Sequence, residues 1–308
     1  MRKSILFPLL TLLVVCSKIA SAQMWVTQED QLVPKREFTD QEMKTLKATK
    51  TVFFLQPGTK AHTDSIKRAV SDVWNITPLI FDDFTNADKY LSDPTYSYFV
   101  FGGVISSGSY GTSTHYFLTL QLPVDVTRKG KIKTIGLCRI ELFPNRKTLD
   151  QISNIDVGKL YNEGSFYNFS PIFIKAQLQA VSTDLKNNVR PKLFEQLKPD
   201  SLSQVLTTDT LYVPQSILMS FNPFGEKEEV KKENPFDKYP YKYRICTDAE
   251  LYTIFQTQKR GRLLFEYVKS SSDKFIKIYD MKNKTVIYKR YAAVSYNLKE
   301  GDIHVIVR

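Results

Sequence analysis

A chain of 308 residues is long enough for one or two domains with a sizeable core. Its 20 phenylalanines and 17 tyrosines favour strands over a helical bundle. Its three cysteines are too few for a disulfide scaffold, and a formal charge of +11 favours anionic partners without identifying one.

The N-terminus has the pattern of a secretory signal. Arg2 and Lys3 precede an apolar stretch over residues 5–16, and a small-residue triplet, Ala20-Ser21-Ala22, follows. The 12 apolar residues fall short of the roughly 20 that a membrane-spanning helix needs. We therefore predict that residues 1–22 are a signal peptide cleaved after Ala22.

Cleavage would leave a soluble, basic protein in the periplasm, at the cell surface or outside the cell. Loss of Arg2, Lys3 and Lys18 lowers the formal charge from +11 to +8. An uncleaved anchor, or lipidation at Cys16, is the alternative at this terminus.

The first half predicts alternating strands and helices. Thr39 to Glu42 has the spacing of a capping box, and Thr85 to Asp88 is predicted to cap a later helix. A helix between them is predicted by the apolar face of Ile66, Val70, Val73 and Trp74. β-Branched and aromatic content predicts strands at residues 51–56, 78–84, 96–104, 115–122 and 131–143.

The second half repeats this plan. Thr247 to Glu250 is the counterpart of Thr85 to Asp88, and strands are predicted at residues 210–213, 240–243, 262–268, 275–280 and 285–290. We predict an internal duplication, with convergence of two ordinary α/β units as the alternative. In place of an amphipathic helix, the second half has a charged segment, residues 222–238, predicted to be a mobile surface loop.

One long amphipathic helix is predicted between the halves, over residues 170–191. Its apolar face consists of Ile174, Leu178, Val181, Leu185 and Val189. We expect it to pack against one sheet or between both. The predicted fold class is α/β (α+β), with two β-α-β-α-β-β units, residues 23–150 and 201–308, joined by a helical segment over residues 151–200.

No catalytic motif is present. His62, His115 and His304 lie in no recognised motif, with His115 at the start of a strand and His304 in the last predicted strand. Asp82 and Asp83 are adjacent on a strand and should point to opposite faces. With His115 they are the least unfavourable candidates for an unrecognised hydrolase. We predict no catalytic residue, cofactor or metal.

Two basic clusters are candidate interaction sites. Lys259, Arg260 and Arg262 flank a predicted turn and have no acidic neighbour in sequence, whereas Lys231 and Lys232 alternate with glutamates. Solvated surface is the alternative for both. The glycine-rich run over residues 102–111 lacks the lysine and helix of a phosphate loop and is predicted to connect two strands.

Two cysteines, Cys138 and Cys246, remain after signal cleavage. An oxidising compartment permits a disulfide between them. Because both lie in apolar, strand-like runs, we favour two separate buried thiols.

Three segments resemble uncharacterised exported proteins of Bacteroidota-type bacteria: YPYKY at 239–243, FEYVKSSSDK at 265–274 and VSYNLK at 294–299, together with the Ala22-Gln23 boundary. The likeness spans most of the mature chain and implies no known activity. In topology only, the chain is similar to the N-terminal α/β domain of the periplasmic Tol translocation protein, and such domains bind partner proteins.

These observations favour a non-catalytic envelope protein that binds another protein, using residues 222–238 among other surfaces. Binding of an anionic glycan or lipid is the second hypothesis, and an unrecognised hydrolase is the third. No nucleic-acid partner is expected.

Overall fold

The structure, a computed structural model, describes residues 37–108, 111–128, 132–149, 157–222, 227–257, 262–271, 273–293 and 297–308. The predicted signal peptide and its cleavage site lie outside these residues, as do Lys259 and Arg260. None of the helices in this part of the chain combines the length and apolarity that crossing a membrane requires.

Helices and strands alternate along both halves. The helices are α1 (Asp40–Ala48), α2 (Lys60–Ser71), α3 (Asp88–Leu91), α4 (Arg146–Leu149), α5 (Val157–Leu160), α6 (Pro171–Lys186), α7 (Leu202–Thr208), α8 (Asp248–Tyr252) and α9 (Glu300–Val307). The strands are β1 (Lys50–Leu55), β2 (Leu79–Asp83), β3 (Tyr96–Gly108), β4 (Gly111–Val126), β5 (Ile132–Leu142), β6 (Leu211–Pro214), β7 (Met219–Asn222), β8 (Lys227–Val230), β9 (Tyr243–Cys246), β10 (Leu263–Ser270), β11 (Asp273–Asp280) and β12 (Thr285–Ala292). A π-helical turn, Thr253–Thr257, follows α8.

Two five-stranded mixed sheets share one strand order. The first sheet runs β2-β1-β3-β4-β5 and the second runs β9-β6-β10-β11-β12. In each sheet three parallel strands are followed by an antiparallel pair added at one side. The predicted α/β class is confirmed. Descent of the halves from a duplicated ancestor stays a prediction, because two α/β units can reach one topology independently.

The long helix α6 lies between the two sheets. Leu178 and Val181 belong to the core of the first sheet, whereas Phe173 packs in a cluster with Leu264 and Tyr279 of the second. Of the two packing arrangements expected from the sequence, the one between both sheets is therefore the one found. A helix buried on two sides joins the halves into one packed body.

The helix ends earlier than predicted. Asn187 is the C-cap, and Asn188 adopts the left-handed conformation (φ 58°) that commonly follows a helix. The chain turns away here, so Val189 is 49% exposed instead of continuing the apolar face. Its neighbour Arg190 turns back into the first unit, where its guanidinium lies over the ring of Phe38.

Three local predictions in the second half are wrong. The strand expected at residues 240–243 begins at Tyr243, because Pro240 has no N–H to donate to a ladder. The segment 222–238 is not a loop throughout: β7 pairs with β8, and Phe236 is fully buried against Phe265. His304 lies in helix α9, not in a strand.

Burial explains why the C-terminal segment that contains His304 is a helix and not a strand. Ile303 and Ile306, three residues apart, are both buried in the core of the second sheet, and this contact outweighs the strand preference of β-branched residues.

In the first half, Thr39 forms the predicted capping box. Thr85 does not cap a helix, because Asp83 takes that role for a 3₁₀ turn at Phe84–Asn86.

Candidate functional site

An open cleft of about 830 Å³ lies where the two units meet helix α6. This volume is within the range of small-ligand sites. The cleft is lined by Arg68, Asp72 and Val73 from the end of α2, by Lys175 and Gln179 from α6, and by Asp209, Tyr252, Phe255, Gln256, Arg262, Met281, Lys282 and Lys284 from the second unit. Neither unit could form this site alone.

The lining of the cleft is basic. Five of these side chains are lysine or arginine and two are aspartate, an excess of three positive charges. A cleft lined mainly by one sign of charge concentrates the field and attracts counter-ions. The hydrogen bonds and ion pairs of each cation show which of them are already neutralised within the protein.

Lys175 ties together three elements of the cleft. Its Nζ donates to Asp72 Oδ2 at 2.7 Å and to Gln256 Oε1 at 2.8 Å, so it links α6 to the end of α2 and to the π-helical turn. The ion pair is partly exposed and contributes little to stability on its own. Its effect is to fix the position of Gln256 in the wall of the cleft.

Arg262 is also paired, contrary to the prediction of an unneutralised basic cluster. Its guanidinium donates to Asp209 Oδ2 at 2.6 Å and to Asp280 Oδ2 at 2.9 Å. Both carboxylates are distant in sequence, which is why the linear pattern suggested no acidic partner. The other two members of that predicted cluster, Lys259 and Arg260, lie outside the described residues.

Asp280 shapes the turn that carries two further lysines. Burial opposes its charge, but hydrogen bonds from Arg262 and Asn283 outweigh that effect and hold the pKa of Asp280 below its usual value. The same carboxylate accepts the backbone N–H groups of Lys282 and Asn283, at 3.1 and 3.0 Å. Lys284 completes the turn in the left-handed conformation (φ 60°). The turn therefore holds Lys282 and Lys284 at the cleft.

Three cations of the lining have no partner in the part of the chain that the structure describes. They are Arg68, Lys282 and Lys284, and all three are exposed. These side chains are the ones available to a ligand.

Two amide side chains line the inner part of the cleft. Gln179 is only 8% exposed, yet its amide forms no hydrogen bond within the described ranges. Gln256 accepts from Lys175 through Oε1, while its Nε2 is buried and has no hydrogen-bond partner in the part of the chain that the structure describes. Sequence reasoning missed both, because it treated α6 as an apolar stripe and ignored its polar positions.

Two aromatic side chains form part of the same wall. Tyr252 and Phe255 are half-buried, and the ring of Phe255 meets that of Tyr212 edge-to-face at 5.5 Å. Phe255 belongs to the π-helical turn, a rare conformation that recurs at functional sites.

The second basic cluster predicted from the sequence lies elsewhere. Lys231 is half-buried and donates to the carbonyl of Leu298 at 2.6 Å, and burial lowers its pKa. Lys232 is exposed. Within the described residues neither lysine lines the cleft, so the fold does not bring them together with Arg262.

The acid–base candidates do not meet. In the sheet order β2-β1-β3-β4, Asp82 and His115 are three strand spacings apart, roughly 14 Å at about 4.8 Å per strand. Asp82 accepts from Tyr90 and Asn86, whose hydrogen bonds lower its pKa, and Asp83 accepts from the backbone of Thr85. Both aspartates therefore stabilise the local turn.

His115 belongs to a buried junction between the sheets. Its Nδ1 lies 3.0 Å from Ser270 Oγ, and that hydroxyl donates to Glu141 Oε2 at 2.6 Å. Because the serine proton is directed to the glutamate, His115 must donate to the serine and cannot act as its general base. Ser270 is fully buried, so this arrangement links β4, β5 and β10 and does not present a nucleophile.

The cysteines and the glycine run have structural surroundings. Cys138 and Cys246 are free thiols in separate clusters, so the disulfide considered from the sequence is not formed. The run 102–111 covers the end of β3 and the first residue of β4, its antiparallel neighbour, so the prediction that it connects two antiparallel strands is confirmed. A Cβ at position 102 would lie 2.7 Å from the ring of Phe117, so glycine is required there by packing.

Among the described residues no group of three or more His, Cys, Asp or Glu side chains is placed to hold a metal ion. Comparison with family models, with curated proteins and with solved structures gives no match.

Proposed function

We propose that this chain is an exported, non-catalytic binding protein that takes an anionic ligand in the cleft between its two units. One observation carries the proposal: the cleft has a ligand-sized volume and an excess of three positive charges, with Arg68, Lys282 and Lys284 available at its surface. Export follows from the N-terminal sequence pattern and is part of the same proposal.

Electrostatics sets the expected strength of binding. Each exposed cation contributes about 0.2–1 kcal/mol to an ion pair in water. Three such contacts give a weak site, which requires further hydrogen bonds or apolar contacts for useful affinity. Binding should fall as salt rises, because the Debye length shrinks to about 10 Å at 0.1 M.

The carboxylates of the cleft argue against hydrolysis. Asp72 is paired with Lys175, and Asp209 with Arg262. Each of these carboxylates is therefore already engaged by a cation of the protein and is not left free as an acid–base group. Neither aspartate has a histidine beside it in the lining. These features support a binding role over a hydrolytic one.

The test is a calorimetric titration of the mature protein with two small tricarboxylates, tricarballylate and trigalacturonate, at about 20 mM and about 300 mM salt. The double variant Lys282→Glu/Lys284→Glu should lose binding of both. Lys44→Glu/Lys47→Glu is the matched control, since these exposed lysines lie on α1 and carry the same charge change. Absence of binding to both probes and to vesicles that carry an acidic glycolipid would contradict the proposal, as would an equal loss in the two double variants.

Protein binding, the first hypothesis from the sequence, is a second candidate with an observation of its own. The hairpin β7–β8 carries Val230 with 64% of its surface exposed, next to a row of charged residues. Among the described residues this hairpin forms a separate two-stranded sheet, and the edges of such a sheet can pair with a strand of another protein. Affinity capture from cross-linked envelopes, with wild type and with Val230→Lys, tests protein binding by this hairpin. A protein that is enriched by wild type alone would support an adaptor role. Identical sets of captured proteins would argue against binding through the hairpin.

A further inference from the structure

The side-chain amide of Gln179 is available to a ligand in the cleft. Gln179 is 8% exposed and lines the cleft, and its amide makes no hydrogen bond with any residue in the described part of the chain. Neither atom of this amide is fully shielded from solvent, so a ligand that enters the cleft can reach both of them.

Gln256 adds a second amide at the same cleft. Its Oε1 accepts from Lys175 Nζ at 2.8 Å, which orients the amide, and its Nε2 is buried with no hydrogen-bond partner among the described residues. The cleft therefore offers a donor from Gln256 and both a donor and an acceptor from Gln179.

The chemistry of these groups selects among anions. Phosphate, sulfate and carboxylate oxygens only accept hydrogen bonds, so a bare anion would use the N–H groups of Gln179 and leave its carbonyl oxygen to water. A hydroxyl both donates and accepts, so neighbouring hydroxyls on one ligand can bind both the N–H groups and the carbonyl oxygen of an amide. The amides therefore favour a ligand that carries hydroxyl groups beside its negative charge.

The aromatic wall points to the same class of ligand. Tyr252 and Phe255 are half-buried and line the cleft. The C–H face of a sugar ring is apolar and packs on the face of an aromatic ring, while its hydroxyls point outward to polar groups. Lys282 and Lys284 lie on the turn that also lines this cleft and would receive the acidic substituent.

We propose that the ligand is an acidic sugar, whose hydroxyls bind the amides of Gln179 and Gln256 and whose acidic group binds the cations of the cleft. This inference rests on the proposed function and narrows it from anions in general to one chemical class. The same acidic sugar could be a free oligosaccharide or the headgroup of a glycolipid.

The test compares two probes of equal charge, trigalacturonate with ring hydroxyls and tricarballylate without them. Wild type should bind trigalacturonate at least tenfold more tightly. Gln179→Met keeps the size of the side chain and removes its hydrogen bonds, so it should weaken trigalacturonate binding by about 2- to 10-fold and leave tricarballylate unchanged. Its melting temperature should stay close to that of wild type, because the substitution removes no side-chain hydrogen bond found among the described residues.

The outcomes separate the inference from the proposed function. Equal affinity for both probes, unaffected by Gln179→Met, would refute the sugar inference while leaving an anion site. Absence of binding to both probes and to vesicles that carry an acidic glycolipid would refute both. Binding to the vesicles alone, weakened by Gln179→Met and not by Lys44→Glu/Lys47→Glu, would support the inference with a lipid-borne sugar.

Discussion

Replacing Glu266 with alanine should detach helix α6 from the second sheet. The Glu266 carboxylate is 1% exposed and accepts three hydrogen bonds: from Asn168 Nδ2 at 2.9 Å, from Gln177 Nε2 at 2.5 Å and from Tyr279 OH at 2.6 Å. Lys277 Nζ lies 3.5 Å away. Burial raises the pKa of Tyr279, so its hydroxyl keeps the proton that it donates.

The magnitude follows from the donors that would be left unpaired. A buried donor without a partner costs about 1–3 kcal/mol, and removing one member of a buried charged network costs about 3–5 kcal/mol. We expect Glu266→Ala to lower the free energy of unfolding by about 3–5 kcal/mol. Glu266→Gln keeps an acceptor and should cost about 1–2 kcal/mol, and Tyr279→Phe, which removes one donor, about 1 kcal/mol.

Urea unfolding followed by two probes tests this account. With Trp25 replaced by phenylalanine, fluorescence reports on Trp74 in the core of the first sheet, while circular dichroism reports on both units. In Glu266→Ala the dichroism transition should move to lower urea, ahead of the fluorescence transition. A shift of under about 0.5 kcal/mol, or a loss no larger than that of Tyr279→Phe, would refute the reasoning.

Three further predictions concern stability. Leu178→Asp should prevent folding or lower the free energy of unfolding, measured in urea, by more than about 4 kcal/mol, because Leu178 is fully buried in the core of the first sheet. An unchanged melting temperature would refute this placement. Gly102→Ala should lower the free energy of unfolding by about 1–3 kcal/mol, because the ring of Phe117 would have to shift. An unchanged free energy of unfolding would show that the ring moves freely. Burial lowers the pKa of Lys269 to about 7, so the folded state binds fewer protons than the unfolded state between about pH 7 and pH 10. The free energy of unfolding of wild type should therefore rise relative to that of Lys269→Met as the pH increases across that window. The variant should be stabilised most, relative to wild type, at pH 7 and below. A difference that stays constant from pH 7 to pH 10 would contradict the lowered pKa of Lys269.

Local signals predicted most elements of this fold. The capping boxes at Thr39 and Thr247 and the hairpin of β11 and β12 depend on residues close in sequence, and the structure has them where they were expected. The central strands were also predicted, because β-branched and aromatic runs fill both buried faces of a parallel strand.

Elements whose conformation depends on distant contacts were not predicted. Ile303 and Ile306 in α9 have strand preference, and only the core of the second sheet makes them helical. Phe236 lies in a charged segment that looks like a loop, and its burial against Phe265 is visible only in three dimensions. Tertiary contacts override local propensity in both cases.

The cleft could not be read from the sequence for the same reason. Its lining residues are spread along the chain from Arg68 to Lys284. Gln179 was not predicted, because the sequence pattern of its helix was interpreted only from the apolar residues. Of the predicted site residues, Arg262 does line the cleft, but its charge is taken up by Asp209 and Asp280. Positive charge alone was therefore a poor guide to which cations are available.

Amide hydrogen exchange with and without saturating trigalacturonate tests the central claim most directly, because it locates the ligand on the chain. The account predicts protection of the π-helical turn at residues 253–257 and of the turn at residues 281–284, both of which line the cleft. Protection confined to the hairpin at residues 219–230, or absent from the described residues that line the cleft, would contradict it.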